Sequence, residues 1–76
     1  MLTRDQIEAI IRQALELPDT YDLNEDLRPA FIPGWDSIGW INIITAIEGT
    51  LGKEVPFDAL DNVSTLRDLY AVLTSM

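Results

Sequence analysis

One serine is the residue of this chain best placed to take part in chemistry. Ser37 lies in the stretch Gly34-Trp35-Asp36-Ser37-Ile38, between a loop rich in proline and glycine and an apolar run of helical spacing. Asp36 is a good N-cap residue, because its short carboxylate can accept a hydrogen bond from a free amide of the first helical turn. Ser37 is therefore predicted to be the first helical residue. Its hydroxyl would lie at the positive end of the helix dipole, where a phosphate is favoured.

The rest of the chain lacks the residues that would make this serine a catalytic nucleophile. A Ser-His-Asp triad in its usual form is excluded because the sequence has no histidine, and Lys53 lacks the other features of a Ser-Lys site. Without histidine or cysteine, only carboxylate sites for hard metal ions are possible. Residues 22–33 begin like an EF-hand calcium loop, but Leu27 replaces its glycine and Pro33 replaces its bidentate glutamate. We therefore predict no catalytic residue and no metal site, and interpret Ser37 as an acceptor of chemistry.

Asp36-Ser37-Ile38 resembles the Asp-Ser-Leu motif of acyl carrier proteins and related carrier domains. Further agreement, at the spacing of that family, is found at Gly34, Ala46-Ile47-Glu48, Leu51 to Pro56 and Val63 to Leu69. The resemblance covers most of the chain and implies an all-α fold. This fold is a small four-helix bundle of the acyl carrier type, with three longer helices, a short third helix and a long first loop. It also implies a 4′-phosphopantetheine arm, derived from coenzyme A and esterified to Ser37, with Asp36 and Gly34 as neighbouring cofactor-binding residues.

The resemblance implies a protein that is not an enzyme but holds acyl groups as thioesters on this arm and presents them to enzymes. Its partners would be a phosphopantetheinyl transferase and acyl-loading, acyl-transferring or condensing enzymes. The cofactor and these partners would carry the chemistry, while the carrier raises the local concentration of the acyl group. The alternative from another class is a helical interaction module that has the carrier fold but is never loaded.

The second predicted helix departs from the usual pattern of the family. Asn42 and Gly49 replace two characteristic acids, and Glu48 is the clear remainder of the acidic patch. The Gly-Trp-Asp-Ser sequence followed by Asn42-Ile43-Ile44 looks like the freestanding carriers of specialised pathways, such as polyketide or hybrid peptide biosynthesis. A carrier for fatty-acid synthesis and a peptidyl carrier are the alternatives.

Length and charge limit the classes of partner. Seventy-six residues make a single domain, residues 1–76. Thirteen acidic residues against five basic ones give a net charge of −8, which disfavours nucleic acid. The acidic surface favours basic partner surfaces, or else merely keeps a small domain soluble. The sequence shows no signal-peptide pattern and no apolar run long enough to cross a membrane, so the chain is expected to be cytoplasmic and to have no membrane partner. It is also expected to be monomeric.

Helical spacing and capping residues predict four helical segments. These are Thr3 to about Leu17, Asp36 to about Leu51, Pro56 to Asp61, and Ser64 or Thr65 to about Thr74. Capping boxes are predicted for Thr3 with Gln6 and for Thr65 with Asp68. In and just before the third segment, the side chains of Val55, Phe57 and Leu60 are expected to point inward. In the long first loop, Leu23, Leu27, Phe31 and Ile32 are expected to pin the loop over the bundle.

The side chains on different faces of the second predicted helix are expected to have different roles. A helical wheel predicts a core face of Trp40, Ile43, Ile44, Ile47 and Leu51. The strip of Ile38, Ile41 and Thr45 falls elsewhere, so we expect it to dock partner enzymes, together with Glu48 and Trp35, unless the acidic loop covers it. Gly39 costs helix stability and is expected to leave room for the arm or for a partner backbone.

An acyl pocket is predicted from Trp40, Ile44 and Ile47. Because an indole is bulky and native cores leave few voids, Trp40 is expected to block or narrow this pocket, so that the cargo is short or stays exposed. The alternative is that Trp40 lies on the surface near Trp35 and has no role in cargo binding.

Overall fold

Three α-helices form the regular structure of residues 2–76, the part of the chain that the computed structural model describes, apart from the side chain of Phe57. They are α1 (Arg4–Ala14), α2 (Ser37–Leu51) and α3 (Leu66–Thr74), with 3-10 turns at Pro29–Phe31 and Phe57–Leu60. Residues 2–76 contain no β-strand. The all-α prediction is confirmed. The fourth helix is not, because the short third segment is a single 3-10 turn, and the inward placement expected of Phe57 lies outside the described side chains.

Helix α1 begins as predicted but ends earlier. Thr3 and Gln6 form the expected capping box. The helix stops at Ala14 because Glu16 adopts a left-handed conformation, with φ of 55°. The amide of Leu17 then donates back to the carbonyl of Arg12 at 2.8 Å, a Schellman-type closure. The end of the helix is therefore set before the proline at position 18.

Helix α3 begins with the predicted capping box. The carboxylate of Asp68 accepts hydrogen bonds from the backbone amides of Ser64, at 2.9 Å, and Thr65, at 3.2 Å. These bonds, that of Ser64 first, lower the pKa of Asp68 because they stabilise its ionised form. The start of α3 is thus fixed locally, as the sequence predicted.

The core lies where α1 packs against α2 and α3. Each helix contributes a stripe of buried aliphatic side chains, and the connecting segments supply the rest. The buried apolar residues are Leu2, Ile7, Ile11, Leu23, Ile32, Trp35, Ile43, Ile44, Ile47, Val55, Leu66, Leu69, Tyr70 and Leu73. Ile43, Ile44 and Ile47 confirm the predicted inner face of α2, whereas Trp40 and Leu51 are only half-buried.

The long first loop is held against α3 by hydrogen bonds. The amide of Leu66 donates to the carbonyl of Leu27 at 2.9 Å, and the hydroxyl of Tyr70 donates to the carbonyl of Leu23 at 3.3 Å. Leu23 is buried and Leu27 packs on the core, as predicted. The loop is therefore an integral wall of the domain.

Phe31 does not pin this loop, contrary to the prediction, since its side chain is 75% exposed. The 3-10 turn explains the difference. With three residues per turn, Pro29 and Ile32 fall on the same side, and both are buried, while Phe31 is directed away from them.

Most of the positive charge lies on the surface formed by α1, α3 and the long loop. Arg4, Arg12 and Arg67 form ion pairs there with Glu8, Glu25 and Asp26. Exposed pairs of this kind contribute little to stability, because water screens the charges and the long side chains lose entropy. Their position matters more, because α2 carries no lysine or arginine. Within residues 2–76, no helix is both long enough and apolar enough to cross a bilayer.

Candidate functional site

Ser37 is the first residue of α2 and is exposed to solvent, as predicted. Asp36 is the N-cap in an extended conformation, and its Oδ1 accepts a hydrogen bond from the amide of Gly39 at 2.8 Å. The carbonyl of Asp36 accepts the first intrahelical bond, from the amide of Trp40 at 2.9 Å. Asp36 thus fixes where the helix starts and thereby where the Ser37 hydroxyl lies.

Two glycines let the loop and the helix approach closely beside Ser37. Gly34 has a φ of 82°, a region that favours glycine, and its carbonyl accepts the amide of Asp36 at 3.1 Å. A Cβ built on Gly39 would lie 2.4 Å from that same Gly34 carbonyl oxygen and 3.0 Å from Leu15 Cδ2. The space beside Gly39 is therefore filled by the chain itself. The prediction that Gly39 leaves room for the arm or for a partner is wrong, because the loop folds back onto the first turn of α2.

Trp35 lies in the core and supports the neighbouring indole. It is 8% exposed, and its ring meets that of Trp40 edge-to-face, with centroids 5.1 Å apart and planes at 85°. Such pairs are worth about 0.5–1.5 kcal/mol beyond the area that they bury. Trp35 was expected on the docking surface, but its burial leaves it unavailable to a docked partner. Its part in the site is to hold Trp40 in place.

A groove open to solvent runs beside Ser37, with a volume of about 610 Å³. From α2 it is lined by Ser37, Trp40 and Ile41. From the opposite side it is lined by Leu60, at the end of the second 3-10 turn, and by Asp61 and Val63, which follow it. Trp40 forms part of the wall, half-buried, so it is not a purely surface residue. The lining is mostly apolar, and Asp61 is the one ionisable group among its described residues.

Ile44 and Ile47 do not line this groove, although the sequence assigned them to an acyl pocket. Both are buried on the inner face of α2, about one and two turns along from Trp40, and neither borders the groove. The helical wheel identified their inward face correctly. It could not distinguish a face packed against another helix from one that borders a cavity.

The predicted docking strip is exposed. Ile38 is 68% and Ile41 57% accessible, and Thr45 is exposed as well. The alternative, in which the acidic loop covers the strip, is wrong. Glu48 behaves differently, because it is half-buried and its Oε2 accepts the amide of Val55 at 2.8 Å. Glu48 therefore serves to hold the connection after α2.

Leu60, Asp61 and Val63 are the site residues that the sequence interpretation missed. Their position across from α2 depends on how the chain turns between residues 52 and 65, over which no helical periodicity extends. The expectation that Leu60 points inward was the nearest signal. The family motifs near Ser37 gave no indication that Asp61 would lie in the same groove.

The comparison with protein families gives a match to this chain. The family described as "Phosphopantetheine attachment site" matches residues 5–73, nearly the whole chain, and the chain belongs to that family. Its prosthetic group is 4′-phosphopantetheine, covalently attached. Domains of this family are carriers rather than catalysts, and they work with a phosphopantetheinyl transferase and acyl-handling enzymes. The comparisons with curated proteins and with solved structures gave no match.

The residues around Ser37 fit such a group. The serine side chain is exposed, and a phosphate on its hydroxyl would meet the positive end of α2. The apolar walls of the groove, Trp40 and Ile41 on one side and Leu60 and Val63 on the other, offer surface for a flexible organic arm. Within residues 2–76, no group of His, Cys, Asp and Glu side chains could hold a metal ion.

Proposed function

We propose that this chain is an acyl carrier protein in which Ser37 is the attachment residue for 4′-phosphopantetheine. The observation that carries the proposal is the position of Ser37. It is exposed, it follows the capping residue Asp36 at the start of α2, and it borders the groove, within a chain of the phosphopantetheine attachment family.

The protein's own part in this function is positional. When bound, 4′-phosphopantetheine supplies the terminal thiol that carries an acyl group as a thioester. Asp36 fixes the start of α2, and the free backbone amides of its first turn favour a phosphate at Ser37. In this proposal the transferase supplies the base that takes the serine proton.

Attachment is tested by incubating the protein with coenzyme A and a broad-specificity phosphopantetheinyl transferase and then measuring the intact mass. One phosphopantetheine should be added to the wild type and none to Ser37→Ala. Ser64→Ala is the matched control, because Ser64 is also an exposed serine next to a helix start and should not affect the modification. Addition of the arm to Ser37→Ala would refute the assignment. An unmodified wild type would favour a helical interaction module that is never loaded.

The partners that we propose dock on the strip of Ile38, Ile41 and Thr45. They are the acyl-loading and acyl-transferring enzymes, which must approach the surface beside Ser37. The strip is continuous with that site, since Ile41 also borders the groove. Helix α2 has no basic residue, and its one acid, Glu48, is bonded to Val55, so apolar contact is the recognition available there.

The pathway that we propose is a specialised one, polyketide or hybrid peptide biosynthesis. The support is the apolar character of the strip, in contrast to the acidic second helix usual among related carriers. The alternatives are a carrier for fatty-acid synthesis and a peptidyl carrier. Comparing the rates at which loading enzymes of each class acylate the arm-bearing protein would separate them.

A further inference from the structure

Trp40 forms part of the inner wall of the groove beside Ser37. Its ring packs edge-to-face against that of Trp35, which is buried in the core. The groove is open to solvent, and its volume of about 610 Å³ lies in the range usual for small-molecule sites.

The charge in this groove has a single sign. Asp61 lines it and is exposed, and none of its described lining residues is a lysine or an arginine. Among residues 2–76, Asp61 forms no salt bridge. Three of the five cations, Arg4, Arg12 and Arg67, are paired with acids on the surface of α1, α3 and the long loop. A negative group brought into the groove would therefore meet the like charge of Asp61 and no lysine or arginine among the described lining residues.

We propose that this groove selects the chemical class of the cargo: uncharged acyl groups lie against Trp40 and Leu60, and Asp61 disfavours acyl groups that end in a carboxylate. The proposal rests on attachment of the arm at Ser37. Apolar contact with the walls favours an uncharged chain that folds back beside the attachment point. Repulsion by Asp61 lowers occupancy for a carboxylate-terminated chain of equal length, by about fivefold in a groove open to water.

The test compares two cargoes of four carbons that differ in one terminal group. The transferase loads the protein from coenzyme A, butyryl-coenzyme A or succinyl-coenzyme A, and intact mass establishes that each product is complete. The readout is the indole N–H signal of Trp40 in a ¹H–¹⁵N NMR spectrum, measured relative to the form that carries the arm alone. The butyryl form should shift this signal, and the succinyl form should shift it about fivefold less.

Two variants that each remove one carboxylate show whether Asp61 causes the difference between the butyryl and succinyl shifts. In Asp61→Asn the succinyl form should shift the Trp40 signal about fivefold further than it does in the wild type, because the repulsion is removed. In Asp58→Asn, which removes an exposed carboxylate from the neighbouring 3-10 turn outside the groove lining, both shifts should match those of the wild type. Circular dichroism establishes that each variant is folded.

The outcomes separate this proposal from the assignment of Ser37. If no arm is added to the wild type, the carrier function itself fails, and the cargo proposal with it. If loading is complete but butyryl and succinyl groups shift the Trp40 signal equally, or if neither shifts it, the groove does not select cargo while the carrier function stands. A succinyl shift that recovers equally in Asp61→Asn and Asp58→Asn would point to the overall charge of the protein and overturn the role of Asp61.

Discussion

The residues that flank Ser37 act on it through the backbone. Asp36 binds the amide of Gly39, and the carbonyl of Gly34 lies against the same glycine, so that the loop and the first turn of α2 form one packed unit. Ser37, the proposed attachment residue, is thereby held on a packed helix start, although it is exposed. Single substitutions that disturb this packing should therefore affect stability as well as loading.

Replacing Gly39 with alanine should lower the free energy of unfolding by about 1–3 kcal/mol, because the new Cβ would lie 2.4 Å from the Gly34 carbonyl oxygen. In an unobstructed helix the same change gains up to about 1 kcal/mol. Gly49→Ala is the matched control, since nothing lies within 4 Å of its Cβ position. Urea unfolding measures both. A Gly39→Ala variant as stable as Gly49→Ala would contradict the close packing.

At the scale of elements, α2 divides its surface among three tasks. One face is buried against α1, a second borders the groove, and a third exposes Ile38, Ile41 and Thr45. Since its single acid, Glu48, is bonded to Val55, the exposed face has no charge of its own to offer a partner. The character of α2 therefore favours apolar docking over electrostatic steering.

Ile38→Glu should slow acyl transfer from a cognate loading enzyme about tenfold, the effect of losing about 1.4 kcal/mol of apolar contact, while the fold stays intact. Ile38 suits this test because it is exposed and does not line the groove. Thr50→Glu adds the same charge to α2 about 18 Å further along the helix and should have little effect. The rate is measured at low and high salt.

The dependence of the transfer rate on salt concentration can contradict the prediction of apolar docking. Apolar docking should change little as ionic strength rises, because screening acts on charges. If added salt abolishes transfer while Ile38→Glu leaves the rate unchanged, the acids of the loops, rather than this strip, determine docking.

At the scale of the whole molecule, Tyr70 connects α3 to the long loop. It is buried, and its hydroxyl donates to the carbonyl of Leu23. Burial raises the pKa of Tyr70 to about 12, with Glu8 adding to the shift and the nearby Arg4 opposing it. The folded protein therefore keeps this tyrosine neutral at pH values at which the unfolded chain already ionises it.

The sign of the pH dependence follows from this raised pKa. The stability associated with neutral Tyr70 is fully present below pH 10.0, the ordinary value, and is lost as the pH rises towards about 12. Over that window the free energy of unfolding should fall by about 2–3 kcal/mol. Urea unfolding at a series of pH values measures it.

Tyr70→Phe provides the control for this titration. It should be less stable near neutral pH by about 1 kcal/mol, because the Leu23 carbonyl loses its donor. It should also lack the part of the alkaline decline that belongs to Tyr70. An identical decline in the variant would mean that other groups cause it.

The sequence by itself determined the features that depend on residues a few positions apart. The capping box of Thr3 and Gln6, the cap at Asp36 and the capping box of Thr65 and Asp68 are local hydrogen bonds and backbone preferences, so they could be predicted where they occur. The inward face of α2 and the exposure of Ile38 and Ile41 follow from helical periodicity. The family motifs predicted Ser37 as the attachment residue.

Only the tertiary structure decided which surfaces meet. The burial of Trp35, the bond of Glu48 to Val55, the outward direction of Phe31 and the position of Asp61 opposite α2 depend on the path of the loops between the helices. Loop residues have no period that assigns them a face, and their contacts join positions whose spacing in the sequence is irregular. The groove that we propose as the cargo site therefore exists only once the segment after the second 3-10 turn has folded back beside Ser37.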